Sequence, residues 1–140
     1  MRVVLDTDVI VAAIRSPSGA SAAILREIDG GSATLLLSVA LALEYEAICG
    51  LAEHRMVSGL SEKEVEAFVN ALIGLAEPVE KYFLWRPMLR DAGDEMVLEA
   101  AVNGRADVLV TFNQRDYGSA PALFGIEVLL PREALRRMRV

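Results

Sequence analysis

The chain begins with a short apolar run that ends in a carboxylate, since the sequence from Val3 to Val11 reads VVLDTDVIV. The apolar run predicts a buried strand, and Asp6 stands at its last position. Proteins built from alternating strands and helices place their chemistry beyond the carboxyl ends of parallel strands. A buried charge is also costly unless it has a partner. Asp6 is therefore a candidate functional residue.

Strand-like and helix-like runs alternate along the rest of the chain. The apolar pattern predicts strands at 3–5, 34–37, 79–84, 107–110 and 126–130, and helices at 9–14, 20–28, 39–51, 94–103 and 132–138. A further helix is predicted to follow a capping box at Ser61 and Glu64 and to end before Glu77. Such alternation favours right-handed crossovers and a mainly parallel sheet with helices on both faces. We predict a single α/β domain over residues 1–140.

The composition fits a compact domain with an acidic surface. The chain has 140 residues, 54% of them hydrophobic and 24% charged, which is enough apolar material for a core. The net charge is −6 and the pI is near 4.8. This is the wrong sign for a protein that holds nucleic acid by charge alone. The objection weakens if several carboxylates bind a divalent cation, which reverses the local field.

The cysteine content and the longest apolar stretch indicate a cytoplasmic protein. The single cysteine, Cys49, cannot form an internal disulfide, and its apolar neighbours predict a buried thiol. The longest mostly apolar stretch, from Leu35 to Leu43, is much shorter than the ~20 residues of a membrane helix. Asp6 and Asp8 interrupt any signal-peptide core. We expect a soluble protein of the reducing cytoplasm.

Further acids occupy unusual places. Glu44 lies on an apolar helix, Asp94 precedes a helical apolar stripe, and Asp116 follows a predicted strand. Each has an ordinary explanation, namely a solvated helix edge, an N-cap and a turn residue. Together with Asp6 they predict a divalent-metal site, because clustered carboxylates cannot all ionise without a cation or protons. Oxygen ligands select Mg²⁺ or Mn²⁺.

Polar residues near these acids are expected to orient them or to be solvated. Thr111 and Asn113 follow the strand that precedes Asp116 and would orient carboxylates. Asp8 either caps the first helix or binds in the site, while Asp91 and Glu95 are expected to be solvated. The single histidine and single cysteine exclude the usual zinc ligand sets. The sequence also has no phosphate-binding glycine loop and no G-x-S-x-G or H-E-x-x-H motif.

Short motifs recur in a defined order along the chain. They are Asp6-Thr7-Asp8 after the first strand, Ser38 followed by Glu44-Tyr45, the segment from Arg90 to Glu95, Gly104-Arg105-Ala106-Asp107, Val110-Thr111, and Asp116-Tyr117. In this order they resemble the PIN-domain (PilT N-terminus) nucleases, especially the bacterial toxins of toxin–antitoxin pairs. The chain departs from that family at two places. Asp8 replaces the usual asparagine, and Asn113 stands where many members carry aspartate.

The resemblance implies a PIN-like three-layer α/β/α domain that acts as a metal-dependent ribonuclease. It would hydrolyse RNA with a metal-activated water, using one or two Mg²⁺ or Mn²⁺ ions. It also implies a homodimer that a small antitoxin protein holds inactive. The helices at 20–28 and 65–75 are candidate contact faces, with covering of the sheet as the alternative for both. By resemblance, the ligands would be Asp6, Glu44, Asp94 and Asp116, with a water as the alternative to Asp116, and the residues around them would be Thr7, Asp8, Ser38, Thr111 and Asn113. The candidate phosphate contacts, for which a solvated surface role is the alternative, are Arg15, Arg86, Arg90 and Arg115.

Two other functions fit parts of the same pattern. A haloacid-dehalogenase-like phosphatase would use Asp6 as a nucleophile and Asp8 as an acid/base. That mechanism requires a lysine, and the chain has only Lys63 and Lys81. The second alternative is a PIN fold that binds RNA or a protein without cleaving.

Overall fold

The computed structural model describes residues 1–80 and 87–140, and a parallel sheet forms its centre. Within these residues the strands are β1 (Arg2–Leu5), β2 (Thr34–Leu37), β3 (Glu77–Pro78), β4 (Val108–Val110) and β5 (Glu127–Leu129). The five described strands form one sheet in the order β3-β2-β1-β4-β5. Every pairing is parallel. The predicted parallel sheet is confirmed.

The chain reverses direction across the sheet between β1 and β4. It runs outward from β1 through β2 to β3 and then returns to β4 on the other side of β1. Val3 accordingly pairs with Leu35 on one side and with Val108 on the other. Such a reversal leaves a crevice at the carboxyl ends of the two central strands, where α/β proteins bind ligands. Asp6 follows β1 directly, and Thr111 follows β4 directly, so both stand at this crevice.

Helices cover both faces of the sheet. Helix α2 packs against α1 and α8, whereas α6 packs against the sheet, α7 and the 3-10 helix. This arrangement confirms the three-layer α/β/α architecture. In the described part of the chain the helices are α1 (Thr7–Arg15), α2 (Ala20–Asp29), α3 (Val39–Cys49), α4 (Ala52–Ser58), α5 (Glu62–Leu75), α6 (Ala92–Asn103), α7 (Gln114–Tyr117), α8 (Pro131–Met138) and a 3-10 helix (Pro121–Phe124).

The sequence located most elements, and β3 is the main correction. The capping box of α5 is present, because Ser61 Oγ accepts from the Glu64 amide and the Glu64 carboxylate accepts from the Ser61 amide, each at 3.1 Å. Of the strand predicted at 79–84, residues 79 and 80 are not in a strand and residues 81–84 lie outside the described residues, whereas β3 occupies Glu77–Pro78. Val79 adds one more hydrogen bond to β2, at 3.0 Å, and residues 81–86 lie outside the described residues. The proline is tolerated because β3 is the outermost described strand on its side.

Three short helices were not predicted from the sequence. They are α4, α7 and the 3-10 helix, which contain 7, 4 and 4 residues. Such short segments carry too few apolar positions to establish a helical period, and α4 has no buried residue at all. Tertiary contacts therefore decide whether they form.

The core is continuous through the central strands. Val3, Val4 and Leu5 of β1 are completely buried, as expected for a parallel strand with helices on both sides. Cys49 is buried too, and burial raises the pKa of its thiol to about 11. The predicted buried thiol is confirmed.

None of the described helices is by itself both long enough and apolar enough to cross a membrane. Only α1 and α2 taken together reach that length and apolar composition, and the chain bends by 101° between them.

Candidate metal centre

The Asp6 carboxylate is buried at the end of β1 and is held by two hydroxyl groups. Its side chain is 6% exposed. Oδ2 accepts hydrogen bonds from Thr111 Oγ1 at 2.7 Å and from the Tyr117 hydroxyl at 3.0 Å. Hydrogen bonds to an ionised oxygen are stronger than those between neutral groups. Neither bond uses Oδ1, so the carboxylate is fixed in orientation while one oxygen remains available to a ligand.

Two buried tyrosines support this end of β1. Tyr117 is completely buried, and burial together with the Asp6 charge raises the pKa of its hydroxyl, which keeps it a hydrogen-bond donor. Tyr45 is equally buried and donates its hydroxyl to the backbone oxygen of Leu5. Both tyrosines directly follow acids in the sequence motifs, but neither is among the predicted site residues. The signal that identifies them is the polar tip of a buried aromatic side chain, which requires a partner.

Asp8 stabilises the turn that follows β4 by accepting hydrogen bonds from it. Its Oδ2 accepts from the Phe112 amide at 3.1 Å and from Asn113 Nδ2 at 3.0 Å, with Thr111 Oγ1 at 3.4 Å. Its Oδ1 is buried and has no hydrogen-bond partner among the described residues. Burial, followed by repulsion from Asp6, raises the pKa of Asp8 to about 7. Asp8 lies inside α1 and does not cap it.

Asp94 lies in the first turn of α6 and faces other carboxylates. Its pKa is raised to about 6, first by burial and then by the charges of Asp6, Asp91 and Asp116, while the Tyr117 hydroxyl opposes the rise. Asp6 after β1 and Asp116 of α7 are therefore close enough to Asp94 to repel it. A cation placed among them would relieve this repulsion.

The cap of α6 is Asp91, which is exposed as predicted, and not Asp94. Its Oδ1 accepts from the amides of Gly93 at 2.8 Å and Asp94 at 3.1 Å, so Asp94 is not the cap. Glu95, also expected to be solvated, accepts from the backbone amides of Met88 at 3.1 Å and Leu89 at 2.8 Å. Both acids therefore hold the approach to α6 in place.

Gly93 leaves room for the capping carboxylate of Asp91. A Cβ atom at this position would lie 2.9 Å from the capping oxygen of Asp91 and 3.8 Å from Glu44 Oε1. The first of these distances is too short for a real carbon atom. Gly93 is not among the predicted functional residues, because its role depends on where the Asp91 carboxylate lies at the start of α6.

Two neighbouring cavities contain the acids, and both are lined by Asp91 and Asp94. The two cavities differ in the other predicted site residues that line them. The cavity of about 350 Å³ is lined by Asp6, Thr7, Asp8, Glu44 and Asn113, and that of about 740 Å³ by Arg90, Arg115 and Asp116. The fold thus brings Asp6, Glu44 and Asp94 together and places Asp116 next to them.

Other predicted residues lie elsewhere. Ser38 caps α3 by accepting from the Leu41 amide at 3.1 Å, so its hydroxyl supports the helix that carries Glu44. Arg15 lines neither cavity, but its guanidinium lies 3.2 Å from Nδ1 of His54, which does line the smaller one. Arg86 lies outside the described residues.

The donor set suits a hard divalent cation. Within residues 1–80 and 87–140 no three His, Cys, Asp or Glu side chains form a group close enough to hold a metal directly. Mg²⁺ retains several waters and often binds through only one or two carboxylates, so wider spacing is compatible with it. Such an ion would give the unpartnered Oδ1 of Asp8 a partner, and its positive charge would lower the raised pKa of Asp94.

The family comparison agrees with this geometry. A family model described as PIN domain matches residues 2–115. The chain belongs to the PIN domain family. PIN domains are generally metal-dependent nucleases. The match includes Asp6, Glu44 and Asp94, whereas Asp116 lies one residue beyond it. Comparisons with curated proteins and with solved structures found no match.

Membership of the PIN domain family leaves the phosphatase alternative without support. Asp8, its required acid/base, is engaged with the turn after β4. Lys63 is exposed on α5 and lines neither acidic cavity. Lys81 lies outside the described residues.

Proposed function

We propose that this PIN domain is a Mg²⁺- or Mn²⁺-dependent ribonuclease. The observation that carries the proposal is the state of Asp6 at the crevice between β1 and β4. Its carboxylate is buried and oriented by Thr111 and Tyr117, and the same cavity is lined by Glu44 and Asp94. A buried, oriented carboxylate surrounded by further acids is suited to cation binding and is costly without it.

Different side chains would have different roles in phosphodiester hydrolysis. Asp6, Glu44 and Asp94 would hold the ion, with Asp116 contributing from the adjoining cavity. When bound, the ion supplies a water of lowered pKa and positive charge for the phosphate. Arg90 and Arg115 line the same adjoining cavity as Asp116, where they would contact the RNA backbone. These cations matter because the chain as a whole carries a net charge of −6.

Cleavage of a labelled RNA in Mn²⁺ tests this proposal. We expect Asp6→Asn, Glu44→Gln and Asp94→Asn each to abolish cleavage while the circular dichroism spectrum is unchanged. Asp29→Asn is the control, because it removes an exposed carboxylate at the end of α2 that lines neither acidic cavity. Near-normal cleavage by Asp94→Asn would contradict the ligand assignment. RNA binding without any cleavage by the wild-type protein would instead indicate the non-cleaving alternative.

We further propose that the ribonuclease is the toxin of a type II toxin–antitoxin pair and forms a homodimer. The support is the family resemblance together with exposed apolar side chains on α3 and α5. Val39, Leu43 and Ile73 are 78%, 62% and 49% exposed. Helix α2, the other predicted contact face, packs against α1 and α8 instead.

Two measurements test the partner proposals. Light scattering at micromolar concentration should report a dimer for the wild type and a monomer for Leu43→Glu, and a wild-type monomer would contradict the dimer. Expression of the wild type should arrest growth, and expression of Asp6→Asn should not. Growth without arrest would contradict the toxin role and leave the ribonuclease proposal standing.

A further inference from the structure

A third cavity lies on the other side of the turn that follows β4. Its volume is about 470 Å³, and Gly19, Ser21, Phe112 and Arg132 are among its lining residues. This volume is in the range of small-molecule sites, ~300–1,000 Å³. None of these residues belongs to the proposed metal centre.

One wall of the cavity offers hydrogen-bond donors to an anion. Helix α2 begins after Gly19, which has no side chain to cap the first backbone amides. Ser21, in the first turn, is 4% exposed, and its Oγ has no hydrogen-bond partner among the described residues. A buried hydroxyl without a partner is uncommon, because its desolvation is left uncompensated. Amide groups at a helix N-terminus together with a hydroxyl form a suitable phosphate site.

A cation and an aromatic ring complete the cavity. Arg132 is exposed at the start of α8, and its guanidinium pairs with no described residue. Guanidinium groups recognise phosphate by paired hydrogen bonds. Phe112 is 49% exposed, although large apolar side chains are usually buried. An exposed ring beside a phosphate site provides a surface on which a nucleic-acid base can stack.

The cavity is connected to the acidic crevice through the same turn. The Phe112 amide donates to Asp8 Oδ2, and the next residue, Asn113, lines the acidic cavity. Ala12, another lining residue, lies four positions after Asp8 on α1. Residues four apart share a helix face and are separated by about one turn, ~5.4 Å. An RNA strand that crosses the acids would reach this cavity with its neighbouring nucleotide.

We propose that this cavity binds one nucleotide of single-stranded RNA, adjacent to the phosphodiester bond that is cleaved. The phosphate contacts the α2 N-terminus, Ser21 and Arg132, and the base stacks on Phe112. The inference rests on the proposed ribonuclease function for its choice of ligand. It assigns Phe112 and Arg132 to substrate binding and not to chemistry.

The test is binding of a fluorescent oligouridylate to the full chain in a chelator, where cleavage does not occur. We expect Phe112→Leu and Arg132→Gln each to weaken binding by about tenfold, since stacking and a phosphate contact are lost. Arg132→Gln should also lower the slope of log affinity against log salt by about 0.7, the value for one phosphate of a single strand. Arg136→Gln is the control, because it removes an equal charge from the same helix outside the cavity.

The outcomes separate this inference from the ribonuclease proposal. If Arg132→Gln binds like Arg136→Gln and Phe112→Leu binds like the wild type, the cavity is not a nucleotide site. If only Arg132→Gln weakens binding, the cavity holds an anion alone and the nucleotide assignment is overturned. A wild-type protein that fails to cleave in Mn²⁺ but shows both losses in chelator supports this cavity and contradicts the nuclease chemistry.

Discussion

At the scale of single residues, the two aspartates after β1 have different partners. Asp6 is held by the hydroxyl groups of Thr111 and Tyr117, whereas Asp8 accepts mainly from the Phe112 amide and the Asn113 side chain. Asp6 is therefore oriented toward a ligand, and Asp8 organises the turn after β4. The two residues are only two positions apart, but α1 begins between them at Thr7, so Asp6 precedes the helix and Asp8 lies in its first turn.

The hydroxyl of Tyr117 should contribute more to stability than that of Tyr45. Tyr117→Phe removes a hydrogen bond to a carboxylate and should lower the free energy of unfolding by about 1.5–3 kcal/mol. Tyr45→Phe removes a bond to a backbone oxygen and should cost about 0.5–1.5 kcal/mol. Urea unfolding of the metal-free protein measures both. Equal losses would mean that Asp6 does not depend on Tyr117.

Asp8 should make the metal-free protein less stable as pH rises. Its pKa of about 7 in the folded state exceeds the value of ~3.9 in an unfolded chain, so the folded state binds the proton more strongly. The free energy of unfolding contributed by Asp8 is therefore greatest below about pH 4 and is lost as pH rises to about 7. Asp8→Asn should flatten this dependence and melt above the wild type at pH 8.

Thermal melts in a chelator across pH 4–8 check the effect of Asp8. Asp29→Asn, which changes an exposed carboxylate at the end of α2, serves as the control. A wild-type and an Asp8→Asn profile of the same shape would show that Asp8 titrates as an ordinary surface acid.

At the scale of elements, the first turn of α6 connects stability with the site. Asp91 caps the turn, Gly93 leaves room for the capping carboxylate, and Asp94 projects from the turn toward the acids. The turn also receives support from Glu95, which binds the chain before the helix. The position of Asp94 therefore depends both on these local hydrogen bonds and on the packing of α6 against the sheet.

Substitution of Asp91 should separate capping from charge. Asp91→Ala removes the cap and should cost about 1 kcal/mol of unfolding free energy, whereas Asp91→Asn keeps a capping oxygen and should cost much less. Urea unfolding measures the difference. In Asp91→Asn the pKa of Asp94 should fall, because Asp91 is one of the charges that raise it, and carboxyl NMR titration would detect this. Equal stabilities for the two variants would exclude the cap.

At the scale of the whole molecule, the crevice collects acids from distant parts of the chain. Asp6 follows β1, Glu44 lies on α3 and Asp94 on α6, and the reversal of strand order brings all three to one cavity. Their mutual repulsion opposes folding unless a cation is present. Ion binding and global stability should therefore be linked.

Mn²⁺ or Mg²⁺ should raise the melting temperature of the wild-type protein. A ligand that binds only the folded state stabilises it by about 2.7 kcal/mol when its free concentration is about a hundredfold above Kd. The shift should be largely lost in Asp94→Asn and retained in Glu46→Gln, whose carboxylate lines a different cavity. Differential scanning calorimetry with and without a chelator measures it. Identical melting temperatures in both conditions would contradict a shared ion site.

The sequence by itself determined the parallel α/β fold and pointed to the first strand as the origin of the site. Apolar runs of strand length that alternate with helical periods allow few other architectures, so β1, β2 and the capping box of α5 could be placed from local patterns alone. Asp6 was identifiable for the same reason, since a carboxylate at the end of a buried strand is unusual whatever surrounds it.

Only the tertiary structure decided which polar groups meet. The donors to Asp6 lie more than a hundred residues away in the chain, and no local pattern reports such a contact. Asp91 caps α6 because the backbone conformation, and not the residue type, decides which of the neighbouring acids can accept from the first amides of the helix. The unpartnered hydroxyl of Ser21 and the exposed ring of Phe112 likewise acquire meaning only when α2 and the turn after β4 enclose one cavity. Hydrophobic periodicity is a local property and can be read from the chain, whereas hydrogen bonding between distant side chains depends on the packed fold.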